Sequence, residues 1–322
     1  MKRIGLIVPS LTLALLAVGV IQSTSVSGQA SSASAAQGIQ ISPALVELNA
    51  IPGKTYTVTL DVTNVTGSDL VYSSSVDDFN AKDESGSPQI LLDSTLPETA
   101  SIKTWVSSID QFGLTTRQSK VITAQVSIPV DAEPGGHYGV IRFSGRAPEV
   151  TDMGVGLAAS AGVLMLIRVD GDIVENAQVS SFFTARNGDQ SSFFETSPIT
   201  FVTRIQNQGN IHIKPVGSIE IRDMFGGLVK TLPVNDEKSN VLPDSIRRFE
   251  AVYDSQWMIG RYAANLTLGY GTTGQALTST ISFWVIPYKL ILIALLVLVT
   301  IIFILRGVLR SYKKRIIAES KK

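Results

Sequence analysis

Histidine and cysteine, the residues most typical of zinc sites, are scarce in this sequence, which has two histidines and no cysteine. His137 lies in the segment EPGGHYGVIRFSGRAP, where two glycines and a tyrosine lead into an alternating apolar stretch. His212 lies in NIHIKP, opposite in parity to Ile211 and Ile213. We interpret His137 as an outward-facing residue at a turn before a strand and His212 as a surface residue. Without cysteine, neither predicts a zinc site, and thiolate chemistry is excluded.

The segment DDFNAKDESGSP, residues 77–88, gathers four acidic side chains: Asp77, Asp78, Asp83 and Glu84. A calcium loop needs oxygen ligands in the order D-x-[DN]-x-[DN]-G, which is missing here. We therefore interpret this segment as a solvated acidic hairpin loop.

Two further segments resemble known motifs by letter only. GYGTTGQ matches G-x-G-x-x-G, but a dinucleotide site needs a helix next, and here the strand-like ALTSTISFWV follows. LPETA, residues 96–100, is close to a sortase signal but lies far from the C-terminal apolar segment. A glycan hydrolase would need two carboxylates facing each other across a groove, and no such pair stands out. We predict no catalytic, cofactor-binding or metal site, no cofactor, and a protein that is not an enzyme.

The elements that carry these residues are predicted to be strands. Between residues 38 and 285 the apolar residues recur with period two, which indicates strands with one buried face. The clearest sets run over residues 56–62, 122–128, 199–205, 262–270 and 277–285. GVGLAASAGVLMLIRV, residues 154–169, predicts a strand buried on both faces. Turn clusters separate the strands, so the fold class is all-β, with two tandem Ig-like β-sandwich domains at residues 38–172 and 175–285.

The two predicted sandwiches echo each other. LDVTNVTGSDL and TRIQNQGNIHI each run from an apolar strand through asparagine to glycine, and GGHYGVIRF and IGRYAANLTLGY each place Gly-x-Tyr before a strand. In Ig-like sandwiches such a tyrosine buries its ring and bonds nearby backbone through its hydroxyl, so we expect this of Tyr138 or Tyr262.

Both ends of the chain are apolar. Residues 1–35 have a basic start, an apolar core and an A-x-A site, which predicts a secretory signal peptide with a flexible leader. Residues 286–305 are long enough to form one transmembrane helix, and the basic residues of 306–322 predict a cytoplasmic tail. The body, residues 31–288, carries 17 Lys and Arg against 26 Asp and Glu, a net charge of −9, so nucleic acid is not an expected partner.

A family resemblance supports the same organisation. GIQISPALVELNAIPGKTYTVTLDVTNVTGSDLVY and VSIPVDAEPGGHYGVIRF resemble the N-terminal domain of bacterial surface proteins of the DUF916 type, the WxL-interacting, peptidoglycan-binding proteins. NQGNIHIKPVGSIEIRDMFG and RRFEAVYDSQWMIGRYAANLTLGYG resemble the second sandwich of such chains. The resemblance covers about residues 38–322 and implies attachment to the cell wall and contact with partner surface proteins.

Two functions follow as hypotheses. The first is a non-enzymatic, single-pass protein of the cell membrane, with its body extracellular, that presents its sandwiches to peptidoglycan, another wall polymer or other surface proteins. The alternative is a membrane-anchored chaperone or assembly factor for secreted subunits, which would use a sheet edge.

Overall fold

The computed structural model describes residues 38–92, 96–147, 159–255 and 257–319, with side chains as far as residue 310. The predicted signal peptide and leader, residues 1–35, lie outside these residues. The described chain is mostly strand, with one C-terminal helix. The predicted fold class, two Ig-like sandwiches and a C-terminal apolar helix, is confirmed.

Among its described residues, the first sandwich contains nine strands in two sheets. They are β1 (Ile39–Ser42), β2 (Leu45–Ala50), β3 (Thr55–Asn64), β4 (Leu70–Ala81), β5 (Pro88–Leu91), β6 (Phe112–Leu114), β7 (Ser119–Ser127), β8 (Gly135–Arg146) and β9 (Ala159–Val169). One sheet has the order β1-β3-β7, and the other has the order β2-β9-β8-β4-β5 with β6 paired to β4. All pairs are antiparallel except β2 with β9, which is parallel.

Alternating residues of these strands form the first core. Val58, Leu60 and Val62 of β3 are buried, whereas the residues between 57 and 61 that alternate with them are exposed. Each fully buried side chain of this size stabilises the fold by about 1.5–3 kcal/mol. Trp105 closes one end of the core, and its Nε1 donates to the Glu98 carbonyl over 3.0 Å. The prediction of a doubly buried strand is confirmed for β9, where Met165, Leu166 and Ile167 are all buried.

The second sandwich repeats the plan, with nine more strands over the part of it that the structure describes. They are β10 (Ala177–Arg186), β11 (Asp189–Gln190), β12 (Phe193–Phe194), β13 (Ile199–Asn207), β14 (Val216–Arg222), β15 (Leu228–Val234), β16 (Ile246–Tyr253), β17 (Gly260–Tyr270) and β18 (Gln275–Val285). The sheet orders are β11-β10-β13-β16 and β12-β18-β17-β14-β15. Phe194, Phe201 and Phe283 meet at its centre, where the ring centroids of Phe201 and Phe283 are 5.6 Å apart.

The predicted echo between the sandwiches has a structural cause in two fully buried asparagines, Asn64 and Asn207. Each ends a strand, accepts from the backbone N–H two residues later and donates to the carbonyl four residues later. Each also donates across to a second segment, Asn64 to the Leu114 carbonyl and Asn207 to the Val241 carbonyl. The amide thus satisfies backbone groups of a loop that has no strand partner.

The C-terminal element is a single helix, α1 (Tyr288–Glu319). It begins two residues after the predicted start and continues through the basic segment that was predicted to be a separate tail. Residues Tyr288–Arg310 are long and apolar enough to cross a membrane. At 1.5 Å per residue these 23 residues cover about 35 Å, more than the roughly 30 Å of a bilayer core.

Candidate binding surface: an open sheet edge beside a cleft

The N-terminal half of β9 has an open edge. β2 pairs with β9 only from Leu164 onward, so among the described residues no strand pairs with this side of Ala159–Val163. β1 passes nearby but pairs with β3 in the other sheet. The backbone N–H of Leu164 donates to Ala44, so even-numbered residues of β9 face the β2 side. Ser160 and Gly162 therefore direct their N–H and C=O groups toward the open edge, as alternate residues of an edge strand must.

An apolar cleft adjoins this edge. Leu45, Phe79, Leu164 and Leu166 project from the outer face of the sheet, and Leu242 of the second sandwich faces them. Together with polar side chains they enclose a cavity of about 380 Å³. A cleft of this size and composition suits a few apolar side chains of a bound segment.

Glu47 lies at the rim of the cleft and joins the two sandwiches. It accepts from Lys214 Nζ over 2.6 Å and from Asn240 Nδ2 over 3.2 Å. Partial burial raises the pKa of Glu47, but these two bonds outweigh that effect, and the net pKa lies below its ordinary value. The carboxylate therefore stays ionised at neutral pH and holds Lys214 in place.

His212 is not a free surface residue, as the sequence suggested, but part of the contact between the sandwiches. The Tyr138 hydroxyl accepts from the His212 backbone N–H over 2.8 Å and lies 3.2 Å from His212 Nδ1. Burial lowers the pKa of His212 to about 4, with Glu47 opposing this shift. Burial also raises the pKa of Tyr138. Neutral His212 can accept a hydrogen bond at Nδ1 from the Tyr138 hydroxyl, so this hydrogen bond can form at neutral pH.

The two tyrosines of the Gly-x-Tyr segments differ. Tyr262 is buried, and its hydroxyl donates to the Ile259 carbonyl over 3.3 Å, so the expected tyrosine corner is confirmed there. Tyr138 bonds the other sandwich instead, since its strand starts at the contact between the sandwiches. Gly136 beside it donates its N–H to the Asn210 carbonyl over 2.8 Å, which adds a second tie.

His137 is buried, with 4% of its surface exposed, so the prediction of an outward-facing residue is wrong. Its Nδ1 lies 2.8 Å from the Ala100 carbonyl and its Nε2 lies 2.7 Å from the Glu133 carbonyl. The ring also lies 4.6 Å from that of Trp105. His137 therefore fastens two loops to β8, which is a structural role.

The acidic segment is a solvated hairpin loop only in part: residues 82–87 join β4 to β5 and Asp83 is exposed, as predicted, but the first two acids lie elsewhere. Strand β4 extends through Asp77 and Asp78, and both are buried. Asp77 pairs with Arg142 over 2.8 Å, and Asp78 accepts from the Ser101 hydroxyl over 2.6 Å.

Glu84, in the β4–β5 loop, reaches the second sandwich. Its carboxylate accepts two bonds from Arg204, and its backbone carbonyl accepts from the Arg248 N–H over 2.7 Å. Arg248 belongs to β16, an edge strand, so this loop covers part of that edge. The sequence analysis does not predict this contact, because Arg204 and Arg248 lie more than a hundred residues from Glu84 in the chain.

The remaining motifs lie in turns. Gly271 and Gly274 form the β17–β18 hairpin with positive φ, as expected from the strand that follows. Residues 98–100 of LPETA lie in a turn of the first sandwich. Over the ranges that the structure describes, no group of three His, Asp or Glu side chains is placed to hold a metal.

Fold and surface together define a two-sandwich, Ig-type protein with an open sheet edge and a C-terminal apolar helix. No family model and no curated protein sequence matches the chain, so the DUF916 resemblance stays a prediction.

Among solved structures, the class 5 fimbriae chaperone CfaA is similar at 12% identity and a TM-score of 0.40, over 76% of this chain and 98% of that chain. The YadV chaperone is similar at 11% identity and a TM-score of 0.37, over 76% of this chain and 100% of that chain. The E. coli chaperone DraB is similar at 15% identity and a TM-score of 0.34, over 77% of this chain and 96% of that chain. At such values the likeness does not identify a function.

Proposed function

We propose that the chain is a non-enzymatic membrane protein whose α1 spans the cell membrane and whose sandwiches bind another extracellular polypeptide. The apolar side chains of α1 between Leu290 and Leu309 are exposed, and lipid is the environment that favours this. The basic residues that follow the apolar run favour a cytoplasmic C-terminus and therefore an extracellular body.

The open edge of β9 carries the binding proposal. An extended segment of a partner can pair with Ser160 and Gly162, whose backbone groups point outward, and so add a strand to the sheet. The five residues Ala159–Val163 set the length of that pairing. Apolar residues of the partner beyond this segment can enter the cleft beside Leu45 and Leu164.

A second candidate function is that of a chaperone for secreted subunits. The apolar cleft beside the open edge favours it, because a subunit that has not folded exposes both unpaired backbone and apolar side chains. Wall polymer remains a further partner of the first hypothesis.

The test is capture of partner proteins by the full chain, solubilised from its own membranes, with two matched proline variants. Ser160→Pro removes an outward N–H of β9 and leaves the bonds to β8. Val121→Pro removes an outward N–H of β7 in the same way. The backbone groups of Gln125 and Ser127 bond to residues outside the sheet, and Val121 is also odd-numbered, so its N–H points to the same side. We expect Ser160→Pro to lose the partner and Val121→Pro to keep it. Equal capture by both variants would contradict the proposed edge.

The two candidate functions differ in the state of the captured partner. A scaffold binds a folded surface protein or sediments with isolated wall material, whereas a chaperone holds a subunit that is sensitive to protease until it is released. Limited proteolysis of the captured complex, beside sedimentation of the full chain with purified wall, therefore separates them.

A further inference from the structure

Several exposed apolar side chains collect at one end of the second sandwich. Strand pairing identifies that end as the one from which α1 leaves: Gly260 pairs with Val285, the last residue of β18, and Arg222 pairs with Ala263 near the start of β17. The loop at 223–227, the segments 254–255 and 257–259, and the short strand β12 therefore all lie there. The exposed apolar residues of these segments are Phe193, Met224, Phe225, Trp257 and Ile259, and Trp284 of β18 pairs beside Phe193.

The two most prominent of these side chains are held at loop tips. Phe225 is 90% exposed and Trp257 is 82% exposed, values that are unusual for large aromatic residues. The carboxylate of Asp223 accepts from the backbone N–H groups of Phe225 and Gly227, which fixes the tip that carries Phe225. The loop with Trp257 is fixed at its end, where Ile259 donates its N–H to the Tyr262 hydroxyl over 3.2 Å.

The connection from this end of the sandwich to α1 is short. Only Ile286 and Pro287 separate β18 from α1. The Ile286 N–H donates to the Phe194 carbonyl over 2.8 Å, and Lys289 on the first turn of α1 pairs with Glu195 over 2.8 Å. Two extended residues reach at most about 7 Å. The end of the sandwich therefore lies within the polar layer of any bilayer that α1 spans, since this layer adds roughly 5–8 Å on each side of the hydrocarbon core.

We propose that this end of the second sandwich is a lipid-contact surface, in which Phe225, Trp257 and their apolar neighbours insert into the interface of the leaflet from which α1 emerges. Aromatic residues, tryptophan above all, favour that layer, because their rings are apolar and their edges tolerate water. The contact fixes the sandwich upright on the membrane and so sets the height of the first sandwich above it. The inference rests on the proposed spanning of the membrane by α1.

The test is spin-label accessibility in the full chain, reconstituted into vesicles of phosphatidylcholine and phosphatidylglycerol. The chain has no cysteine, so each single cysteine variant carries one nitroxide. Phe225→Cys and Trp257→Cys report on the proposed surface. Leu298→Cys reports on the middle of the apolar helix, and Thr273→Cys reports on the exposed hairpin at the opposite end of the sandwich.

We expect the ratio of oxygen to nickel-chelate collision rates to be several-fold higher at 225 and 257 than at 273, and highest at 298. If 225 and 257 match 273 while 298 is in lipid, the helix spans but the proposed surface is wrong. If 298 is also accessible to nickel, membrane spanning fails and the inference fails with it. Spin–spin broadening at 225 that disappears on dilution with unlabelled chain, without lipid accessibility, would assign the surface to a second copy and overturn the proposal.

Discussion

Replacing Asn207 by alanine should lower the free energy of unfolding of the second sandwich by about 3 kcal/mol and leave the first sandwich almost unchanged. Asn207 is fully buried, donates to the Ile211 carbonyl over 2.7 Å and to the Val241 carbonyl over 2.9 Å, and accepts from the Gly209 N–H over 3.0 Å. Each bond contributes about 1 kcal/mol, and each buried group left without a partner costs about 1–3 kcal/mol, so a loss of roughly 3 kcal/mol is a cautious sum.

The matched control is Asn64→Ala, because Asn64 makes the equivalent bonds in the first sandwich. Native-state hydrogen exchange read by mass spectrometry on the full chain gives the opening free energy of each sandwich separately. Asn207→Ala should reduce protection in β13 and β14, and Asn64→Ala should reduce it in β3 and β4. Losses below about 1 kcal/mol, or equal losses in both sandwiches from either variant, would refute the assignment of these asparagines as separate loop anchors.

Three further outcomes are expected. Burial lowers the pKa of His212 to about 4 in the folded chain, whereas the unfolded chain has the ordinary value of about 6.5. Between these two pH values the unfolded chain binds one more proton than the folded chain. The free energy of unfolding should therefore rise with pH across this window, by at most about 3 kcal/mol, and stay level above it. In urea unfolding, His212→Gln should flatten this dependence, and an unchanged slope would contradict it. His137→Phe should lose both bonds to loop carbonyls and cost about 2–4 kcal/mol, seen as faster proteolysis between residues 97 and 105; unchanged cleavage there would show that the bonds matter little. The Tyr72 hydroxyl is buried without a hydrogen-bond partner among the described residues, so in thermal unfolding Tyr72→Phe should be neutral or stabilising by about 1 kcal/mol, and a clear loss would indicate a missed partner.

The sequence predicts the strands well because one-sided burial leaves a period-two pattern. Alternation in β3, β7, β13, β17 and β18 depends on local spacing alone, so it is readable without knowing the partner strand. The repeated asparagine is visible in the same way, although the bonds that explain it are not.

Contacts between the sandwiches are not readable from local pattern. His212 looks exposed by parity, but Tyr138 and Glu47 come from residues far away in the chain. The acidic segment looks solvated for the same reason, since Arg204 lies 120 residues from Glu84. The open edge of β9 is invisible as well, because an edge is defined by which strand fails to pair beside it, and that depends on the whole topology.

The most direct test of sheet-edge binding is site-specific photocrosslinking from Ser160 in the full chain within its own membranes. A photoreactive residue at Val121, on the comparable edge of β7, is the control. The account predicts an adduct from 160, absent from 121, in which the linked peptide of the partner maps to one short extended segment. Adducts of equal yield from both positions, or none from 160 while 121 gives one, would contradict it.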